Sequence, residues 1–262
     1  MTTANVNGIT IGYDDTGTGE DVLVLVHGHP FDRTMWHPQV EHFSARGWRV
    51  IAADLRGYGA STVVPGITTL DVFAQDIKGL LDHLNVDKFV LGGLSMGGQI
   101  VMQCAQDFPE RIKALILADT FAQSETEEGR RNRNAMADRL LAEGMSGYAT
   151  EVKWKMVARH NPEAAEFVAG LMHNAPPQGA AAALRGRAER PDYTATLAKI
   201  TVPTLVIVGS DDEYTPVKDA EYMHERIQAP KTLEIVEGAA HMPNLERPDT
   251  FNKAVDQLLA QA

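Results

Sequence analysis

Residues 88–100, KFVLGGLSMGGQI, run from an apolar stretch into a serine enclosed by four glycines. Glycine weakens strand and helix interiors alike, so such a cluster marks backbone that turns sharply or is approached closely. The plain reading is a tight strand-to-helix turn with a capping serine. The chemical reading is stronger in this context. Gly93-Leu94-Ser95-Met96-Gly97 fits G-x-S-x-G between a strand and a helix, where small neighbours let a strained serine turn close without clash. The same turn aims a helix N-terminus, with its unpaired N–H groups, at developing negative charge. Ser95 is therefore the candidate nucleophile.

A serine nucleophile needs a base, and the base needs an orienting acid. Working outward, EGAAHMPNLERP places His241 in a loop after the last β-rich run, TLEIVEG at 232–238. A lone histidine there would be an ordinary surface residue, but the chain order Ser, acid, His changes its meaning. Two acids lie in the right interval just past strand ends: Asp119 in ADT and Asp212 in GSDDEYTP. An acid after 204–210 and a base after 232–238 would come from adjacent strands, close enough for a direct hydrogen bond.

On the other side, VLVLVHGHPF at 22–31 gives a strand followed by His27-Gly28-His29-Pro30, a loop that must offer one backbone N–H to an oxyanion. The second donor is the N–H of Met96, the residue after the nucleophile. The His-x-His spacing also raises a metal reading, but the continuation Phe31-Asp32 does not supply the Asp-His of an H-x-H-x-D-H site. No metal and no cofactor is expected.

Around these motifs short β-rich runs alternate with amphipathic helical patterns. ITIGY (9–13), VLVLV (22–26), WRVIAAD (48–54), KFVLGG (88–93), IKALILAD (112–119), TLVIVGS (204–210) and TLEIVEG (232–238) read as strands. Most are continuous apolar runs, as expected of parallel strands covered on both faces. TLDVFAQDIKGLLDHL (69–84) and FNKAVDQLLAQA (251–262) have helical spacing. The alternation predicts a mostly parallel sheet with helices on both faces. It breaks over 121–195, a strand-poor span holding eight arginines and four methionines. The expected organisation is a core of residues 1–120 and 196–262 with a helical cap inserted at 121–195, over the carboxyl ends of the strands.

Composition sets the outer limits. The chain has 262 residues, 44% of them hydrophobic, and a formal net charge of −11. So acidic a surface repels phosphate backbones and anionic lipid, so neither nucleic acid nor membrane is an expected partner. The single cysteine, Cys104, excludes an internal disulfide and reads as a small buried hydrophobe. The start MTTANVNGIT carries no signal-peptide pattern, which makes a cytoplasmic location the expectation. A homo-oligomer is left open.

The chain resembles α/β-hydrolases, closest to small esterases and 3-oxoadipate enol-lactonases, through HGHP (27–30), DLRGYGAS (54–61), GLSMGG (93–98), LRGRAERPD (184–192), GSDDEYTP (209–216) and GAAHMPNLERP (238–248). The resemblance implies the α/β-hydrolase fold. It also implies Asp212 as the acid, the fourth position of G-x-x-D-x-x-T/V-P, and backbone donors at His29 and Met96. A small-molecule ester or lactone becomes the expected substrate, with C–C bond hydrolysis, cofactor-free perhydrolysis, or ligand reception on a weakly active triad as alternatives. Two further expectations concern the cap. Met136, Met145, Met156, Met172, Trp154 and Phe167 could line an adaptable apolar pocket, although such residues in helices are more often core, and a buried arginine such as Arg187 could meet a substrate carboxylate.

Overall fold

The computed structural model describes residues 2–261, and its strands fall where the apolar runs lie. In chain order, β1 (Thr2–Val6), β2 (Ile9–Thr16), β3 (Val22–Val26), α1 (His37–Ser44), β4 (Arg49–Ala53), α2 (Leu70–His83), β5 (Phe89–Leu94), α3 (Met96–Asp107) and β6 (Ile112–Ala118) form the first half. Four helices follow: α4 (Glu127–Glu143), α5 (Ser146–Met156), α6 (Pro162–Asn174) and α7 (Pro177–Ala188). The chain then returns through α8 (Thr194–Leu197), β7 (Thr204–Gly209), α9 (Val217–Arg226), β8 (Lys231–Val236), α10 (Pro243–Glu246) and α11 (Pro248–Leu259).

The sheet has eight strands in the order β1-β2-β4-β3-β5-β6-β7-β8. β1, β2 and β4 pair antiparallel, and every pairing from β4 to β8 is parallel. β3, β5 and β7 are buried at every residue, which is why their sequences do not alternate. β1 was not anticipated from composition. Its signal is the Asn7-Gly8 pair, with φ of 50° and 79°, closing a two-residue hairpin between the paired Val6 and Ile9.

Helices cover both faces. α11 packs against α1 and onto β6, β7 and β8, while α2, α3, α8 and α9 form a continuous layer. In α2 the buried Leu70, Phe73, Ala74, Ile77, Leu80 and Leu81 recur at helical spacing, and in α11 Phe251, Ala254, Val255, Leu258 and Leu259 do the same. Each stripe turns one apolar face inward, and the one charge buried with them, Asp76 of α2, is paired with Arg56.

Helices α4–α7 occupy the span where the strand–helix alternation breaks, with α4 against α7 and α5 against α6. The boundary expected at 195/196 falls inside α8. α7 seats itself on the core by backbone contact: a Cβ on Gly186 would lie 1.7 Å from the Thr68 carbonyl oxygen. Thr68 N–H donates to the Ala182 carbonyl at 3.0 Å in the same contact. No helix among the described residues is long and apolar enough to cross a membrane.

Candidate active site

Ser95 stands between β5 and α3 with φ 58° and ψ −117°, a conformation a non-glycine residue holds only when its surroundings force it. Those surroundings are close backbone. A Cβ on Gly97 would sit 2.2 Å from the Val26 carbonyl oxygen, so only glycine lets α3 start this near β3. Ser95 N–H donates to the Ala118 carbonyl at 2.9 Å, and Thr120 Oγ1 donates to the Ser95 carbonyl at 2.7 Å. The serine is buried and opens onto a cavity of about 110 Å³.

His241 faces the same cavity from the loop after β8. Its Nδ1 lies 2.8 Å from Asp212 Oδ2, from the loop after β7. Asp212 Oδ1 accepts the N–H groups of Tyr214 (2.7 Å) and Thr215 (3.1 Å), and Oδ2 also accepts the Thr215 hydroxyl. Burial works against a charge on Asp212, yet the proximity of His241 and the hydrogen bonds from His241 and Thr215 outweigh it and hold its pKa down to about 2. Glu246 fixes the histidine loop in turn: its carboxyl accepts Ala240 N–H at 2.9 Å and Ala158 N–H, beyond α5, at 2.8 Å.

Asp119, the other acid in the interval, stands beside Asp212: one ligand atom each from Asp119, Asp212 and His241 lie within 4.8 Å of one another. Its Oδ1 accepts Gly209 N–H at 2.9 Å. Burial, followed by the charge of Asp212, pushes its pKa well above the usual carboxyl range. Within this group Asp119 Oδ1, both oxygens of Asp212 and His241 Nδ1 are already engaged by protein partners.

The His27–Pro30 loop passes Ser95 closely: a Cβ on Gly28 would come within 3.2 Å of the Ser95 Cβ. His27 is committed to structure, its Nδ1 2.8 Å from the Gly28 carbonyl and its Nε2 accepting Leu55 N–H at 2.9 Å. His29 Nδ1 lies 2.8 Å from the Tyr58 hydroxyl, while its Nε2 is buried with no partner among the described residues and its ring lines the cavity. Burial, reinforced by Arg187, lowers the His29 pKa well below its ordinary value, which keeps the ring neutral. Met96 opens α3, so its N–H has no intrahelical acceptor.

The cavity wall opposite comes from α4, α5 and α7, through Arg133, Tyr148, Met156 and Arg187. Of the six apolar side chains considered for an adaptable lining, only Met156 reaches it. Met145 and Met172 are core, Met136 and Trp154 are half-buried, and Phe167 is exposed. The polarity of the wall is instead cationic. Arg133 pairs with Glu125, and Arg190 stacks on Phe121 near the same glutamate. Arg187 is buried, donates from Nε to Gln99 Oε1 at 3.2 Å, and has no carboxylate partner among the described residues. Tyr58 and Glu246 fall within DLRGYGAS and GAAHMPNLERP, but nothing local gives them, Gln99 or Thr120 a role; each acts through a contact far along the chain.

A sheet of this order, with a strained serine at the β5–α3 join and an Asp–His pair on the next loops, defines an α/β hydrolase, and the chain belongs to the Alpha/beta hydrolase family, whose pattern it matches over residues 23–254. Among curated relatives, the 3-oxoadipate enol-lactonase 1 of Acinetobacter baylyi is 33% identical over 224 residues, 84% of this chain and 81% of that one. Among solved structures, a thermophilic esterase from Thermogutta terrifontis with malate bound is 37% identical, with a TM-score of 0.95 over 99% of this chain and 97% of that one. The enol-lactonase from Burkholderia xenovorans LB400 is 28% identical, with a TM-score of 0.89 over 99% and 100% of the two chains.

Proposed function

We propose that this hydrolase cleaves a carboxylic ester or lactone of small to medium size through an acyl-enzyme on Ser95. The observation that carries the reading is the 2.8 Å His241 Nδ1–Asp212 Oδ2 contact beside a strained, cavity-facing Ser95. Asp212 holds the imidazole with its proton on Nδ1, leaving Nε2 to take the proton of Ser95 Oγ as that oxygen attacks the carbonyl carbon. The oxyanion is held by the N–H groups of His29 and Met96. His241 then returns the proton to the departing alkoxide, which in a lactone stays tethered to the acyl group. A water deprotonated by His241 attacks the acyl-enzyme, and Ser95 recovers its proton.

Residues 121–195 act as the cap, supplying most of the wall opposite Ser95. Arg187 narrows the substrate class. A buried guanidinium keeps its charge and gains little from the neutral Gln99, so the cavity is complementary to an anionic group on the substrate. The esterase similar to this chain is described with malate, a dicarboxylate. The test is a fluorophosphonate probe together with a paired ester series. Single labelling on the peptide holding Ser95, abolished in Ser95→Ala along with turnover, is the expected result. Full activity in Ser95→Ala, or ligand binding without turnover of any ester or lactone, refutes the reading.

A further inference from the structure

Asp119 is odd in three ways at once. Its φ is 43°, a left-handed conformation in which only a locally hydrogen-bonded side chain is at ease. Its Oδ1 crosses from the end of β6 to accept Gly209 N–H at the end of β7. Its Oδ2 is buried and has no partner among the N–H and O–H donors of the described residues, although it belongs to a group that approaches Asp212 and His241 within 4.8 Å. An orphaned carboxylate oxygen beside another carboxylate is costly, because two such groups cannot both ionise in a protein interior. Asp212 is the one equipped to be ionic, with two backbone N–H donors, a hydroxyl and His241 on its oxygens. Asp119 has one donor, on the other oxygen.

We infer that Asp119 is a neutral carboxylic acid whose Oδ2–H donates to Asp212, making it a positioning residue for the orienting carboxylate. The charged and titratable groups facing it are Asp212, His241 and Glu246, and burial plus the negative charges of Asp212 and Glu246 favour the protonated form. The proton resolves the orphan. Oδ2 becomes a donor, Asp212 gains a further hydrogen bond, and no second negative charge is placed beside the imidazole. With this additional donor, Asp212 keeps one orientation while His241 cycles between neutral and charged forms. This rests on the Ser95–His241–Asp212 reading above.

The experiment compares Asp119→Asn and Asp119→Ala with the parent enzyme, reading kcat, KM and the acid limb of the kcat/KM profile on one ester. In Asp119→Asn the amide keeps the donor toward Asp212 and the acceptor for Gly209 N–H, and asparagine tolerates positive φ. It is expected to stay within about threefold of the parent kcat with the acid-limb midpoint unmoved. Asp119→Ala is expected to lose about 10- to 100-fold in kcat with KM unchanged, the loss of one hydrogen bond to a charged group. An asparagine variant as slow as the alanine one overturns the inference. So does a fall of about half a pH unit or more in its midpoint, which would report removal of a real negative charge near His241.

Should Asp119→Ala not fold, urea unfolding against pH decides without catalysis. An acid whose pKa is raised in the fold contributes stability below its unfolded pKa and loses it as pH rises toward the folded value. The folded-to-unfolded ratio of the parent, relative to Asp119→Asn, is therefore expected to fall about tenfold per pH unit above about pH 4. Identical pH dependence in the two proteins overturns the inference. Because this arm needs no turnover, a failure of the serine-hydrolase reading, seen as absent probe labelling, stays separate from a failure of the Asp119 assignment.

Discussion

Replacing Arg187 with methionine should push stability and activity in opposite directions. Methionine keeps the unbranched length and removes the charge. In the folded protein, burial and the nearby Arg133 and Arg190 drag the Arg187 pKa well down, so the protonated guanidinium is a destabilising charge there. Its loss should return about 1–4 kcal/mol, the range found when buried ions give way to packed apolar groups. Against this, Gln99 Oε1 loses its only donor while Gln99 Nε2 is already buried without a partner, a cost of about 1–3 kcal/mol. Adding Gln99→Leu removes that offset. By calorimetry, the double variant is then expected to melt above the parent by about 2–4 °C for each kcal/mol recovered. Catalysis should move the other way. Toward an ester carrying a carboxylate, kcat/KM should drop about 10- to 150-fold, the loss of a charge-assisted hydrogen bond worth about 1.5–3 kcal/mol. A neutral ester of the same size should be cleaved as well as before. Equal losses on both esters, or a double variant that melts below the parent, would refute the argument that Arg187 awaits an anion.

Asp212→Asn should lower kcat by as much as about ten-thousand-fold with the fold intact by circular dichroism, since an amide misdirects the imidazole tautomer. The Asp212 carboxylate, held at about 2 against an ordinary 3.8, contributes stability fully present above the ordinary value and lost as pH falls through the depressed one. Between those values the parent should therefore lose about 2 kcal/mol more than Asp212→Asn in acid urea titrations. Gly97→Ala, whose methyl would meet the Val26 carbonyl at 2.2 Å, should lose phosphonate labelling of Ser95 and about 1–3 kcal/mol of stability.

Much of the fold was legible because its causes are local. The unbroken apolar runs at 22–26, 89–94 and 204–209 can only be strands covered twice, and the spacing in α2 and α11 declares a single buried face. The N-terminal strand carries a weaker signal. Thr2–Val6 is polar and buries only Ala4 and Val6, so the Asn-Gly turn beside it was a better signal than its own composition. The pocket lining is hard to read from sequence for a similar reason. Methionines and aromatics announce themselves in sequence as apolar, but whether a helix turns them to the core or to a cavity depends on what it packs against, and of Met136, Met145, Met156, Met172, Trp154 and Phe167 only Met156 lines the cavity.

The sequence by itself determined the glycine-flanked turn at Ser95 and the parallel strands that lead to it. Those follow from backbone sterics and from periodicity, which act over a few residues. The tertiary structure alone decided what each charged group meets. That Arg187 has Gln99 as its neighbour, 88 positions away, and no carboxylate among the described residues is a property of packing. So is the meeting of Asp119 with Gly209 N–H, 90 positions along the chain, beside an already ionic Asp212. A side chain's charge is written in its residue type, but the solvent it loses and the partner it gains on folding come from distant segments brought together, and these set its chemistry.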